Sequence, residues 1–577
     1  MTDITSLRPL AAVLVSAVAV GPILLSGSRP NLRESWTAVA ALAKFGIVAS
    51  MVPGVLAGDT YVTDLGSFLP GARFALEADA LGILFALLAS FLWIVTSSYS
   101  IGYMRGLDEH AQTRYFAAFA ASVSAAVGVA FASNLLVIFV FYELLTVATY
   151  PLVAHDETDE ARSAARKYLA YTFGGGVAVL AGTALVYWLT GTVAFTPGGI
   201  EGLASADPMF ARLAFALLSA GFGVKAALMP LHSWLPDAMV APTPVSALLH
   251  AVAVVKSGVF GIARVVLDVF GPETVGDLGM GLPLATVAAF TLVVASVIAL
   301  RQDNLKRRLA FSTVSQLSYI VLGLAVLAPT SLVGGLLHIP AHGFMKITLF
   351  FAAGAIHVET HTDDISDMAG IGRRMPLTMA AFAVAAAGMA GIPLVAGFVS
   401  KYFLLIGSIS AGETLFAVAL LVSGVLNIGY FWPVVYTAFF ESPEESDEKP
   451  LVEGPLGGRL SWGRAAAAEA ADDAGTDTDA VADGGDEADH DSSDAHGHTD
   501  AHGHGDAHDH TDAHGHGDVH GGGWERRGWT GGESTWFMLA PILVTALGSV
   551  ALGIVPDGAV FLRVVRLIVA GATGVSV

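Results

Sequence analysis

The sequence predicts an all-α polytopic membrane protein of about 14 transmembrane helices, with two inverted five-helix repeats and breaks in helices 7 and 12. Three observations carry this expectation. Of the 577 residues, 54% are hydrophobic and 14% charged, and the mean hydropathy is +0.64, whereas soluble domains run near about 25% charged. Apolar stretches long enough to cross about 30 Å of hydrocarbon recur along nearly the whole chain. Basic residues fall almost entirely in alternate loops between those stretches, as membrane insertion demands.

Residues 1–110 hold spans 1 to 3, near 9–26, 36–57 and 79–100. Span 1 lacks a basic leading segment and a small-residue cleavage site, so it is expected to remain as a mature helix. Residues 111–268 hold spans 4 to 8, near 115–132, 134–153, 168–190, 209–229 and 244–264, and form the first expected repeat. Residues 269–440 hold spans 9 to 13, near 281–300, 313–328, 334–356, 377–407 and 413–440, and form the second. Residues 441–530 contain 23 Asp and Glu against 5 Lys and Arg, so most of the formal net charge of −21 belongs to this one segment. Residues 531–577 hold span 14, near 534–555, and a short tail.

The loops after odd-numbered spans carry basic clusters such as Arg162, Arg166 and Lys167, or Arg301, Lys306, Arg307 and Arg308. Those after even-numbered spans offer Arg73 and Arg212, with Arg264 at a span edge. The positive-inside rule therefore places the N-terminus outside and residues 441–530 in the cytoplasm. This last segment is rich in Asp, Gly, Ala and His and is expected to be disordered, because it has too little apolar surface to offset its chain entropy. Its ten histidines between His490 and His520 are of a type that binds Zn²⁺ or Ni²⁺. Dispersed ligands bind weakly, so the segment reads first as a solvated acidic linker.

Cysteine is absent, which excludes disulfides and Cys-ligated iron–sulfur clusters. No dinucleotide fingerprint or phosphate-binding loop is present, and the acidic balance argues against nucleic acid. No cofactor is expected.

The ionisable groups within the spans are the informative residues. Five of the eight lysines lie there: Lys44, Lys225, Lys256, Lys346 and Lys401. A charge at mid-membrane costs about 2.5–3.5 kcal/mol even on the lenient insertion scale, so such groups mark an ion or proton path. Snorkelling accounts for lysines near helix ends but not for five of eight. Glu143 interrupts "NLLVIFVFYELLTVATY" in span 5, and His250 and Lys256 lie in "SALLHAVAVVKSG" in span 8. In span 11, "LLHIPAHGFMKITLF" sets His338, His342 and Lys346 four apart, on one helical face.

Two spans are broken. Span 7 runs into "MPLHSWLPDAMVAPTP", with four prolines between Met229 and Pro244. In span 12, "AGMAGIPLVAGFVSKYFLL" places Gly391, Pro393 and Gly397 before Lys401. Proline removes a backbone donor, and unwound backbone at membrane depth is tolerated only against protein or a wet cavity. Two interrupted helices five spans apart, each with its own lysine, point to inverted repeats.

At these residues the chain resembles the antiporter-like subunits shared by respiratory complex I and Mrp-type Na⁺/H⁺ antiporters. The resemblance covers roughly residues 75–440 and is carried by "KAALMPLHSWLPDAMVAPTPVSALLHAVAVVKSG", "FYELLTVATYPLV" and "GIPLVAGFVSKY". It implies a mid-membrane chain through Glu143, Lys225, His250, Lys256, His338, His342, Lys346 and Lys401. It also implies partner subunits, and as substrates protons and Na⁺ or another monovalent cation, in the lipid of the cell membrane. Some complex I paralogues have glutamate where this chain has Lys401, and no long lateral C-terminal helix is evident. Both features favour the D-type component of an Mrp antiporter over a redox-driven proton pump, which stays open as the alternative. Lys44 and the histidine-rich insertion have no place in the resemblance.

Overall fold

The computed structural model describes residues 2–441, 532–558 and 560–576. The acidic, histidine-rich stretch, with the expectation of its disorder, lies outside the described residues. The main helices are α1 (Arg8–Leu25), α2 (Pro30–Ala49), α3 (Ala80–Gly106), α4 (Gln112–Ala130), α5 (Leu135–Val153), α6 (Asp159–Thr190) and α7 (Pro208–Lys225). There follow α8 (Thr243–Val269), α9 (Gly281–Leu300), α10 (Leu305–Ala325), α11 (Pro329–Thr360), α12 (Pro376–Ala390), α13 (Ala396–Ser410), α14 (Thr414–Phe440), α15 (Trp536–Ile554) and α16 (Val560–Thr573).

Among the described residues, twelve helices are long and apolar enough to cross a membrane. The other two expected spans correspond to α7, of 18 residues, and to the pair α12 and α13. Short polar residues start the helices where the apolar runs begin. The side chains of Asp79, Asn134, Thr158, Asp207 and Asn304 each accept hydrogen bonds from free backbone N–H groups of α3, α5, α6, α7 and α10.

Burial sorts the helices into layers. The apolar windows of α8, α10 and α11 are wholly buried at the centre. Helices α1, α2, α6 and α14 leave large apolar side chains such as Val18, Val177, Trp188 and Leu415 exposed on the periphery, the surface a lipid-facing helix presents. Helices α10 and α13 pack on α11, and α7 packs on both α6 and α8.

The fold is mostly helical, as expected, with two elements added to the expected spans. Strands β1 (Thr2–Thr5), β2 (Asp59–Leu69) and β3 (Ala72–Ala78) form a small sheet, β1 parallel to β2 and β2 antiparallel to β3, with Tyr61 opposite Ala78. Its strands carry four Thr and two Phe and turn through Pro70–Gly71, a hairpin signal that the apolar spans on either side overshadow. The tail after α15 contains α16, too short to span. It packs Leu562, Val565 and Val569 inward against α3 and α11 and leaves Arg563 and Arg566 at its outer side. In addition, α10 starts eight residues before the expected boundary at 313, because Asn304 caps it ahead of the basic run Lys306–Arg308.

Candidate functional site

Lys225 is the last residue of α7, completely buried. The helix stops there because Ala227 takes a left-handed φ of 54° and Pro230 follows. The freed backbone is satisfied locally: Leu228 N–H donates to Gly223 O at 3.0 Å, and Trp234 Nε1 to Val224 O at 2.9 Å. Lys225 Nζ donates to Tyr142 O on α5 at 2.6 Å and lies 3.3 Å from the centre of the Tyr142 ring. Glu143, the next residue on α5, stands close enough to interact electrostatically with Lys225, but no hydrogen bond joins the two. Both Glu143 carboxylate oxygens are buried without a protein partner, pressed against Gly176, where an added Cβ would collide with Oε1.

Helix α8 crosses α7 beside this break. At Gly258 an added Cβ would collide with the backbone nitrogen of Ala226, so only glycine lets the two backbones meet here. Two residues earlier, Lys256 is completely buried, with Nζ 2.7 Å from His342 Nδ1 on α11. His250 lies in a wider helical turn of α8 (Leu248–Val252), its ring against Phe350 and neither nitrogen hydrogen-bonded to protein.

On α11, His338, His342 and Lys346 share one face, as the spacing predicts, and all three are completely buried. The two imidazole centres are 6.1 Å apart, a separation that one bridging water would fit. His338 contacts Gln316 Oε1 at 3.0 Å through Nε2 and Ser400 Oγ at 2.8 Å through Nδ1. Lys346 turns toward α10, donating to Leu309 O at 3.0 Å and to Ser312 Oγ. Lys401 follows Ser400 on α13 and reaches back across the gap in span 12 to the carbonyl of Met389, with its ammonium 4.5 Å from the centre of the Tyr319 ring. Asn427 Nδ2 donates to the same carbonyl at 3.0 Å.

Three groupings therefore form: Glu143 with Lys225, Lys256 with His342, and His338 with Ser400 beside Lys401. His250 joins none of them by a hydrogen bond, and Lys346 bonds to α10 rather than to its histidine neighbours. Gln316, Ser312, Ser400, Tyr319 and Tyr142 complete the contacts, and sequence pattern alone does not single them out. Their signal is partly visible in "FSTVSQLSY" (311–319), an unusually polar stretch within an apolar span.

A second charged cluster lies away from this chain. Arg264, 2% exposed, donates to both oxygens of Asp79 at 2.7 and 2.8 Å and to Asp268 Oδ2 at 2.8 Å. Glu77 on β3 is beside it, its carboxyl pushed up to about 7, by burial first and then by the charge of Asp79. Lys44 is also completely buried, its Nζ 3.4 Å from Val123 O and 5.7 Å from the centre of the Trp93 ring. Neither contact involves a residue of the chain.

A sequence family described as NADH:quinone oxidoreductase/Mrp antiporter, transmembrane, matches residues 132–427, the region that holds every one of these chain residues. The N subunit of the NADH-quinone oxidoreductase of Desulforudis audaxviator is 32% identical over 464 residues, covering 79% of this chain and 92% of that one. The A/B component of a probable K⁺/H⁺ antiporter of Rhizobium meliloti is 32% identical over 418 residues, covering 71% of this chain but 41% of its own length. A chain of the Mrp complex from Dietzia sp. DQ12-45-1b has the same fold, with a TM-score of 0.74 at 22% identity and 98% of each chain covered.

Proposed function

Because the chain belongs to the NADH:quinone oxidoreductase/Mrp antiporter transmembrane family, we propose that it is the D-type, proton-conducting component of a multisubunit monovalent cation/proton antiporter. The observation that carries this reading is the contact between Lys256 and His342. It joins an α8 lysine to the α11 histidine face at the middle of the molecule, where a charge is worth placing only if it moves.

Protons pass from Glu143 and Lys225 through Lys256 and His342 to His338, and then by way of Ser400 to Lys401. Glu143 serves as the counter-charge to Lys225. When it turns toward the ammonium it holds the proton there, and when it turns away the proton is released into the chain. Imidazole suits the middle positions because it both accepts and donates near neutrality. Lys346 holds charge at the junction, fixed by Ser312 and the Leu309 carbonyl.

The two expected repeats, spans 4–8 and 9–13, give this path its symmetry, and a paired detail supports them. Asn134, which caps α5, bridges to Ala194 after α6, and Asn304, which caps α10, bridges to Asp364 after α11. In the same reading the N-terminus faces outward and residues 441–530 face the cytoplasm.

The likeness to a component of an NADH-quinone oxidoreductase favours a second reading, a proton pump powered by electron transfer in partner chains. One experiment separates them. In vesicles containing the assembled complex, an imposed Na⁺ or K⁺ gradient alone should move protons, and Lys225→Ala should abolish that movement. Proton movement that requires an electron donor, and none with the cation gradient, selects the second reading.

A further inference from the structure

Outside the lysine chain, three potential metal ligands converge at one end of the bundle. Glu109 and His110 lie in the loop between α3 and α4, and His155 stands two residues beyond the end of α5. Glu109 Oε2 is 3.7 Å from His110 Nδ1 and 3.8 Å from His155 Nε2, and the three ligand atoms lie within 4.8 Å of one another. The His155 side chain is 0% exposed, yet neither of its ring nitrogens has a hydrogen-bond partner. The ring packs against Tyr115, but a buried polar atom left in that state is destabilising, and a bound cation would supply the missing partner. His110 has the opposite arrangement. Its Nε2 is bonded to the His155 carbonyl oxygen at 3.0 Å, which leaves Nδ1 facing Glu109. A backbone carbonyl behind an imidazole is the outer support that orients metal-bound histidines.

We propose that Glu109, His110 and His155 form a Zn²⁺ site with its fourth position open to water. Two ligands on a tetrahedral zinc lie about 3.4 Å apart, given bonds of about 2.0–2.1 Å. The two carboxylate-to-imidazole distances need only a few tenths of an ångström to reach that, and the remaining side, at most 4.8 Å, closes by a shift of the half-exposed His110 ring about its bond to the His155 carbonyl. Two imidazoles with one carboxylate select zinc over Mg²⁺ or Ca²⁺, which prefer oxygen throughout. Arg114 donates to the same carbonyl as His110 at 3.0 Å, but its charge is engaged by Glu157. Zinc bound here ties the α3–α4 loop to the end of α5, the helix that carries Glu143, and so acts as a brake on that helix rather than as a catalytic group.

The ten histidines between His490 and His520 are of a type that takes the same metal, so the test must read this site alone. In the full-length assembled protein, carbethoxylation of His110 by diethyl pyrocarbonate is followed by peptide mass spectrometry, with free Zn²⁺ fixed by a chelator buffer. With Zn²⁺ at about ten times its dissociation constant, His110 should react about tenfold more slowly, and Mg²⁺ should give no protection. His155→Gln should leave His110 reactive and abolish the protection. Glu109→Gln should do the same, and it stands in if His155→Gln does not assemble. Equal reactivity of His110 with and without zinc, or protection that survives the substitutions, overturns the site.

Discussion

Lys225 ends a helix with its ammonium held only by the Tyr142 carbonyl and ring, while Glu143 next door keeps both oxygens free. The two charges are neighbours but are not locked in a salt bridge, as the proposed role of Glu143 as a separable counter-charge requires. Lys225→Ala and Glu143→Ala should each abolish cation-driven proton movement in vesicles while assembly of the complex, read by co-purification, stays intact. Lys225→Arg should fail as well, because a guanidinium holds its proton at any accessible pH. Normal exchange in Lys225→Ala would remove this residue from the path. At the centre, His342→Gln keeps a polar group beside Lys256 but cannot titrate. It should slow transport about tenfold, about 1.4 kcal/mol of barrier, since water can bridge one missing link. Lys346→Ala removes the charge held at the junction and should nearly abolish transport, and full transport in that variant would take Lys346 out of the mechanism.

Among the elements, the α7–α8 crossing depends on Gly258. Its missing Cβ is what admits the backbone of Lys225 and Ala226. Gly258→Ala should cost about 1–3 kcal/mol by overpacking and lower the melting temperature of the purified protein. Gly174→Ala on α6, where an added Cβ meets nothing within 4 Å, should be neutral or stabilising by up to about 1 kcal/mol. Equal melting temperatures for the two variants would show that α7 and α8 have room to part. Strand β3 supplies a pH test. The Glu77 carboxyl is held at about 7 in the fold against an ordinary 4.5, with burial the main cause. The fold therefore favours its protonated form. That contribution is complete below about pH 4.5 and is lost as pH rises from there to about 7, at most about 3 kcal/mol. Glu77→Gln should match the wild type in thermal stability at pH 4.5 and exceed it at pH 8. A constant difference across that range would place the effect elsewhere.

For the whole molecule, the described helices pack around α11. Helix α14 reaches Phe440, and α15 resumes at Trp536 packed on α3 and α11. Glu533, just before α15, accepts from the backbone N–H groups of Leu377 and Thr378 at 2.7 and 3.0 Å and so caps α12. Deleting residues 465–522 leaves that cap in place. Exchange rates in vesicles should stay within about twofold, under about 0.5 kcal/mol of barrier. A loss of activity at normal expression would assign the acidic or histidine groups a role in ion supply or regulation.

The spans, the breaks after Lys225 and Gly391, and the burial of ionisable side chains within the spans were legible in the sequence. Each rests on a local rule: hydrocarbon thickness fixes span length, proline and glycine interrupt helices, and a charge inside an apolar run is too costly to be incidental. The sheet and α16 were obscured because each is short and lies beside stronger apolar signals. Only the tertiary structure decided which polar groups meet. Lys256 and His342 are 86 residues apart in sequence, and His338 and Ser400 are 62 apart. Nothing in local pattern links them, since helix crossings are set by where glycines such as Gly258 let backbones approach. The same holds for Glu109, His110 and His155, which come from two separate loops. Periodicity tells which face of a helix a side chain occupies, but packing alone chooses its partner.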